Sequence, residues 1–194
     1  MFSRIAMGIA SSGGKGTMRQ RPARTTLAIG LISACLALPI RLPAANLRKA
    51  APNFTLIDSK GASVRLSDYK GKVVLLSFWA TWCLWCETEI PWYMEFQDKY
   101  KDKGLSLIGV SMDADGWRSV RPFLQEKKMT YTIVVGNEAL ASSYALNALP
   151  LTVLIDRDGK IAGSQAGIVD KDSFENEIRV LLRATPRARQ SNGN

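Results

Sequence analysis

Apolar residues run unbroken from Val73 to Leu76, and after Ser77 the run continues through Phe78, Trp79 and Ala80. A continuous apolar stretch of this length predicts a strand covered on both faces. Helix character begins near Cys83 and extends to about Tyr100, with a bend at Pro91. Glu87 and Glu89 fall in its first turn, where carboxylates favour the positive end of the helix dipole. Leu105 to Ser111 reads as a second central strand. Val120, Phe123 and Leu124 share one face of an amphipathic helix over Trp117 to Lys127. A short strand at Ile133 to Val135 and a short helix at Glu138 to Tyr144 follow. Leu151 to Ile155 and Ile161 to Gly167 flank the turn Arg157-Asp158-Gly159-Lys160 and form an antiparallel hairpin. Ser173 to Leu182 is the last helix. Upstream, Phe54 to Ile57 and Ser63 to Leu66 pair around Asp58-Ser59-Lys60-Gly61, before the polar turn Ser67 to Gly71. The order predicts an α/β domain, a mixed central sheet with helices on both faces.

The net charge of +9 changes meaning once it is located. Residues 1–46 carry six Lys and Arg and no acid, whereas residues 47–182 balance 17 basic against 17 acidic side chains. Basic flanks on a neutral domain point to targeting or a membrane surface, and no nucleic-acid groove is expected. Residues 1–46 are expected to be an export signal or N-terminal anchor, 47–183 the domain, and 184–194 a disordered basic tail. Arg19, Arg21 and Arg24 precede the apolar stretch Leu27 to Ile40, and Ala44 and Ala45 follow it. This is the order of a secretory signal, with Met18 as a start that gives it ordinary length. Two rivals remain open: lipid attachment at Cys35 within Ile32-Ser33-Ala34-Cys35, and a membrane tether through residues 25–40. Each places the domain outside the cytoplasm, in the periplasm or on the outer membrane face.

The chemistry lies at the junction of the apolar strand and its helix. Cys83 and Cys86 are a Cys-x-x-Cys pair whose first sulfur sits at a helix N-terminus, where free backbone N–H groups stabilise a thiolate. The second lies about one turn on, within reach of a disulfide. The chain has no histidine, which removes Ser/His and Cys/His nucleophile schemes; two cysteines alone cannot complete a zinc shell. No metal or cofactor is expected. A purely structural bridge is a poor staple here, because it closes so small a loop. Asp113-Ala114-Asp115-Gly116 and Asp156-Arg157-Asp158-Gly159 lack the downstream ligands of a calcium loop and read as a helix cap and a hairpin turn. Trp79 reads as core, and Trp82, Trp85 and Trp92 as candidates for an apolar collar around the cysteines.

Phe78-Trp79-Ala80-Thr81-Trp82-Cys83, Leu66 to Lys72, Ala51 to Phe54, Glu89-Ile90-Pro91, and Leu149-Pro150 with Leu154 to Gly159 occur in the order of a known family. The chain resembles the exported TlpA/ResA-like thiol–disulfide oxidoreductases over about residues 50–182. The resemblance implies a thioredoxin fold with an N-terminal β-hairpin and an inserted helix. It implies a cis Pro150 beside the dithiol, with Leu149 offering its backbone to a bound polypeptide. From the residues alone, a trans proline opening an edge strand is the plainer reading. Trp82, Leu84 and Trp85 would join Leu149 and Pro150 in holding substrate. Leu84-Trp85 departs from the pattern, since relatives commonly carry Pro at the second position. Ser77 stands where cytosolic thioredoxins carry a buried Asp, and Glu89 matches the acid that extracytoplasmic members use instead. Glu89 is thus either a proton-transfer group for Cys86 or an acid held by the helix dipole.

No Lys or Arg occurs between Lys72 and Lys99, so only the helix N-terminus helps the Cys83 thiolate. A thiol pKa between about 7 and 8.5 and a potential nearer about −270 mV than about −120 mV follow. The expected activity is reduction of protein disulfides, as in cytochrome c maturation, with a membrane thiol-relay protein as electron donor. A thiol peroxidase of peroxiredoxin type is one alternative, although its site wants Pro and Thr or Ser where Leu76 and Ala80 stand. A Cu(I) metallochaperone of thioredoxin fold is the other.

Overall fold

The computed structural model describes residues 48–184. The leader, Cys35, residues 25–40 and the basic tail lie outside the described residues.

Strand β3 (Val73–Trp79) is buried along its whole length. It pairs in parallel with β4 (Leu105–Ser111) and antiparallel with β6 (Leu151–Ile155). β5 (Thr132–Val135) lies beyond β4, and β7 (Ile161–Ala166) closes the other edge, giving the order β5-β4-β3-β6-β7. Strands β1 (Thr55–Ile57) and β2 (Ser63–Arg65) form a separate antiparallel hairpin.

Alternation along β3 builds two cores. Val73, Leu75 and Trp79 face helices α1 (Leu84–Tyr100), α2 (Trp117–Lys127) and α4 (Lys171–Arg183). Val74, Leu76 and Phe78 face the hairpin and α3 (Glu138–Ser143). The sheet is therefore mixed, with helices on both faces, and this is a thioredoxin fold. Gly109 makes room for the Trp79 indole: a Cβ there would meet Trp79 Nε1 at 3.0 Å and Ile133 Cδ1 at 2.6 Å.

Boundaries differ from expectation where side chains redirect the backbone. β2 stops at Arg65 because Leu66 begins a 3-10 turn that ends at Tyr69. α4 starts two residues early, at Lys171, because Asp170 accepts the Ser173 N–H at 2.9 Å and caps it. α1 runs through Pro91 to Tyr100 as one element. The β6–β7 turn is held by Asp156, whose Oδ1 accepts from Asp158 N and Lys160 N, as expected of a turn.

Candidate active site

Cys83 is the N-cap of α1, with extended backbone, and its Sγ accepts the Cys86 N–H at 3.2 Å. Cys83 and Cys86 are joined by a disulfide with an S–S distance of 1.98 Å. The pair is less open than expected of a helix start. Cys83 keeps 6 % of its surface and Cys86 2 %, so Cys83 is the less buried of the two residues. The apolar side chains around it are the open part: Leu84 is 78 % exposed, Trp82 68 % and Trp85 66 %. No described residue buries these three side chains, which leaves apolar area open beside the redox pair. Trp92 departs from the collar and packs, partly buried, against the core; Trp79 is buried as expected.

The turn that delivers Cys83 is fixed from another strand. Cys83 N–H donates to Ala80 O at 3.1 Å, closing the turn Ala80 to Cys83. Thr81 inside it donates to Asp113 twice, from N–H at 3.1 Å to Oδ2 and from Oγ1 at 2.6 Å to Oδ1. Ser111 Oγ donates to the same carboxylate at 2.8 Å. Asp113 does not cap α2: the N-cap there is Gly116, and no side chain caps it. The cap thus falls within the Asp113–Gly116 tetrad, on its glycine and without a side-chain bond. The contact spans 32 residues, so no local pattern exposes it.

Glu89 lies in the second turn of α1 and not in the first, and it is 1 % exposed. The first-turn position expected for it is thereby corrected. Oε1 accepts the Val169 N–H at 2.8 Å, while Oε2 is buried with no hydrogen-bond partner. Burial raises the carboxyl pKa above its ordinary value; the Val169 bond and the nearby Tyr93 hydroxyl oppose the rise. That hydroxyl makes its own hydrogen bond with Thr152 Oγ1 at 2.7 Å. Ser77, where the missing Asp was noted, is buried and sits opposite Thr152 in the β3–β6 register. Helical geometry puts Glu89 and Cys86 on one side of α1, three residues apart.

The Leu149–Pro150 peptide is cis. Phe78 faces Leu151 in the β3–β6 register, so Leu149 and Pro150 lie at the sheet end from which the chain leaves β3 for Cys83. Pro150 O accepts the Gly167 N–H at 2.8 Å; the Leu149 backbone has no hydrogen-bond partner among the described residues. A free N–H and C=O at that sheet end can pair with an extended chain.

Distance along the chain hid one cation. Lys127, from the end of α2, reaches the first turn of α1 and binds Glu87 at 2.7 Å. It also contacts Glu126 at 3.2 Å, so its charge is already matched.

Comparison with known proteins agrees with this geometry. Residues 47–164 match the AhpC/TSA family, a span that includes the disulfide and the cis proline. The thiol–disulfide oxidoreductase ResA of Bacillus cereus is 35 % identical over 135 residues, 69 % of this chain and 77 % of that protein. The ResA of Geobacillus kaustophilus is 36 % identical over 132 residues, 68 % of this chain and 75 % of that protein. The chain belongs to the ResA-like thiol–disulfide oxidoreductases of the AhpC/TSA family. A crystal structure from Chlorobium tepidum, described as a candidate thiol:disulfide interchange protein DsbE, superposes with TM-score 0.67 at 34 % identity. It covers 70 % of this chain and 96 % of its own. As a ResA-like protein, this chain is a thiol–disulfide oxidoreductase that acts on protein thiols, with its cysteine pair in the oxidised form. Among the described residues, no helix is long and apolar enough to cross a membrane.

Proposed function

We propose that this oxidoreductase is an exported dithiol reductant of protein disulfides, with its folded domain over residues 47–183. One observation carries the direction of electron flow: Lys127, the cation that reaches the first turn of α1, is paired with Glu87. A strongly oxidising pair owes its potential to a heavily stabilised thiolate, which needs positive charge at the first sulfur. Cys83 instead has a helix N-terminus beside it and apolar Trp82, Leu84 and Trp85 around it.

The reduced Cys83 thiolate attacks one sulfur of a client disulfide; that bond breaks, and the other client sulfur leaves as a thiolate. Glu89 takes the Cys86 proton, and the Cys86 thiolate attacks Cys83 Sγ. The second client sulfur leaves, two electrons have passed to the client, and the protein is left as the Cys83–Cys86 disulfide. Trp82, Leu84 and Trp85 hold apolar residues around the client cysteine, while Leu149 pairs with its backbone and Pro150 shapes that segment. A membrane thiol-relay protein restores the dithiol. The family resemblance suggests apocytochrome c, a copper-site protein or another exported dithiol as client.

The peroxidase alternative gains nothing from the structure. Leu76 and Ala80, at the positions where it wants Pro and a hydroxyl, are wholly buried apolar side chains.

Cys86→Ser tests the reading. Expressed in the source cell, it should accumulate mixed disulfides through Cys83 with exported proteins that carry cysteine pairs. Recovery of no protein adduct would overturn the assignment of Cys83 as attacking sulfur.

A further inference from the structure

The end of the domain remote from the disulfide carries a second surface. Lys99, Lys103, Arg179 and Arg183 line a cavity of about 480 Å³ with Tyr100 and Leu182. Two elements supply it, the end of α1 with its following turn and the end of α4. Arg157 pins them together, donating to Lys103 O at 3.1 Å and to Leu182 O at 3.0 Å, so the cations stand on a fixed base.

One acid, Glu175, offsets only part of this cluster. Glu175 accepts from Lys99 at 2.6 Å and from the Tyr100 hydroxyl. Lys103 and Arg183 have no carboxylate partner among the described residues; Arg179 makes a 3.5 Å contact with Asn176, and its charge helps to lower the Glu175 pKa. Glu177 lies on the far flank of α4, in the neighbouring cavity with Arg48 and Val180. Val180 is 57 % exposed on that flank. In the sequence, Arg187 and Arg189 follow Arg183, with no acid after Glu177.

We infer that this end of the domain docks on an anionic lipid surface through Lys103, Arg179 and Arg183, with the disulfide turned away from the membrane. A cluster of cations with few acids against it is the chemistry that anionic headgroups select. α1 sets the orientation. Its 16 residue steps from Leu84 to Tyr100 separate the cysteines from the basic end by about 24 Å at 1.5 Å per residue. Cys83 and its apolar collar then face soluble clients. This inference is independent of the direction of electron flow.

The test uses the full chain and vesicles of phosphatidylcholine alone or mixed with phosphatidylglycerol. The readout is the ratio of the two partition coefficients, which removes any contribution of the apolar leader common to both. The triple variant Lys103→Gln, Arg179→Gln, Arg183→Gln should lower that ratio on the order of 100-fold, from about five-fold per cation. A control triple, Lys60→Gln, Arg65→Gln, Arg118→Gln, should leave it unchanged. Tryptophan reports orientation, because all five lie at or before position 117 and none is in α4 or the last two turns of α1. Brominated lipid should leave their fluorescence unquenched. Equal losses in the two triples, no loss in the first, or quenching of the exposed Trp82 and Trp85 would each overturn the inference. So would displacement by inorganic phosphate at matched ionic strength, which would mean a discrete phosphate pocket.

Discussion

The Glu89 carboxylate accepts the Val169 backbone N–H at 2.8 Å, a contact that closes 80 residues of chain. It fixes one oxygen of a buried acid against the loop before α4 and leaves the other without a partner, one turn of α1 beyond Cys86.

Glu89→Gln keeps an acceptor for Val169 and removes the titration. Burial raises the Glu89 pKa above 4.5, so the folded protein binds this proton more tightly than the unfolded chain does. Wild-type stability should therefore fall as pH rises from about 4.5 through the folded pKa, then level off. The variant should lack that fall and be the more stable of the two at neutral pH. The difference, from urea titrations across pH, measures the shift at about 1.4 kcal/mol per pH unit. Resolution of a Cys83 mixed disulfide should slow roughly 100-fold, because the variant removes the proposed acceptor of the Cys86 proton.

Asp113→Asn puts an amide N–H₂ against donors from Thr81 and Ser111. A loss of about 2 kcal/mol in denaturant titration is expected from one buried donor left unmatched. Client reduction should slow about 10-fold as the turn before Cys83 loosens. Thr81→Ser should retain the wild-type rate, and Thr81→Val should behave like the Asp113 variant.

Trp82→Ala and Trp85→Ala remove exposed collar residues. Each should lower kcat/KM for a protein disulfide about 10-fold, the size of an aromatic contact at a protein interface. Reduction of a small aromatic disulfide should change less than two-fold. Equal losses on both substrates would mean that the tryptophans act on the cysteines and not on the client.

Arg157→Lys should destabilise the domain by about 2 kcal/mol in urea. Its guanidinium donates to Gly71 O, Lys103 O and Leu182 O, and an ammonium cannot span three carbonyls from one position.

The central strand and both halves of the cysteine pair were legible in the sequence because each is local. An unbroken apolar run predicts burial on two faces, and Cys-x-x-Cys at its end predicts a disulfide. β4, α2 and β6 have the residue bounds that their patterns predict. The cis Leu149–Pro150 peptide followed from family resemblance and from nothing in the residues themselves. What stayed hidden depends on chain closure. The Asp113–Gly116 tetrad reads only as a helix cap until Thr81 is brought against Asp113, and Lys127 reads as remote until its side chain meets Glu87 of α1. Glu89 reads as a first-turn acid, since its burial is set by Val169, which has no sequence relation to it.

Equilibration of the purified protein with defined dithiol/disulfide buffers, read as the fraction of Cys83–Cys86 disulfide, tests the direction of electron flow most directly. A midpoint near about −270 mV is predicted, with Lys127 at the first turn of α1 already paired with Glu87. A midpoint near about −120 mV would mark an oxidant and contradict the account.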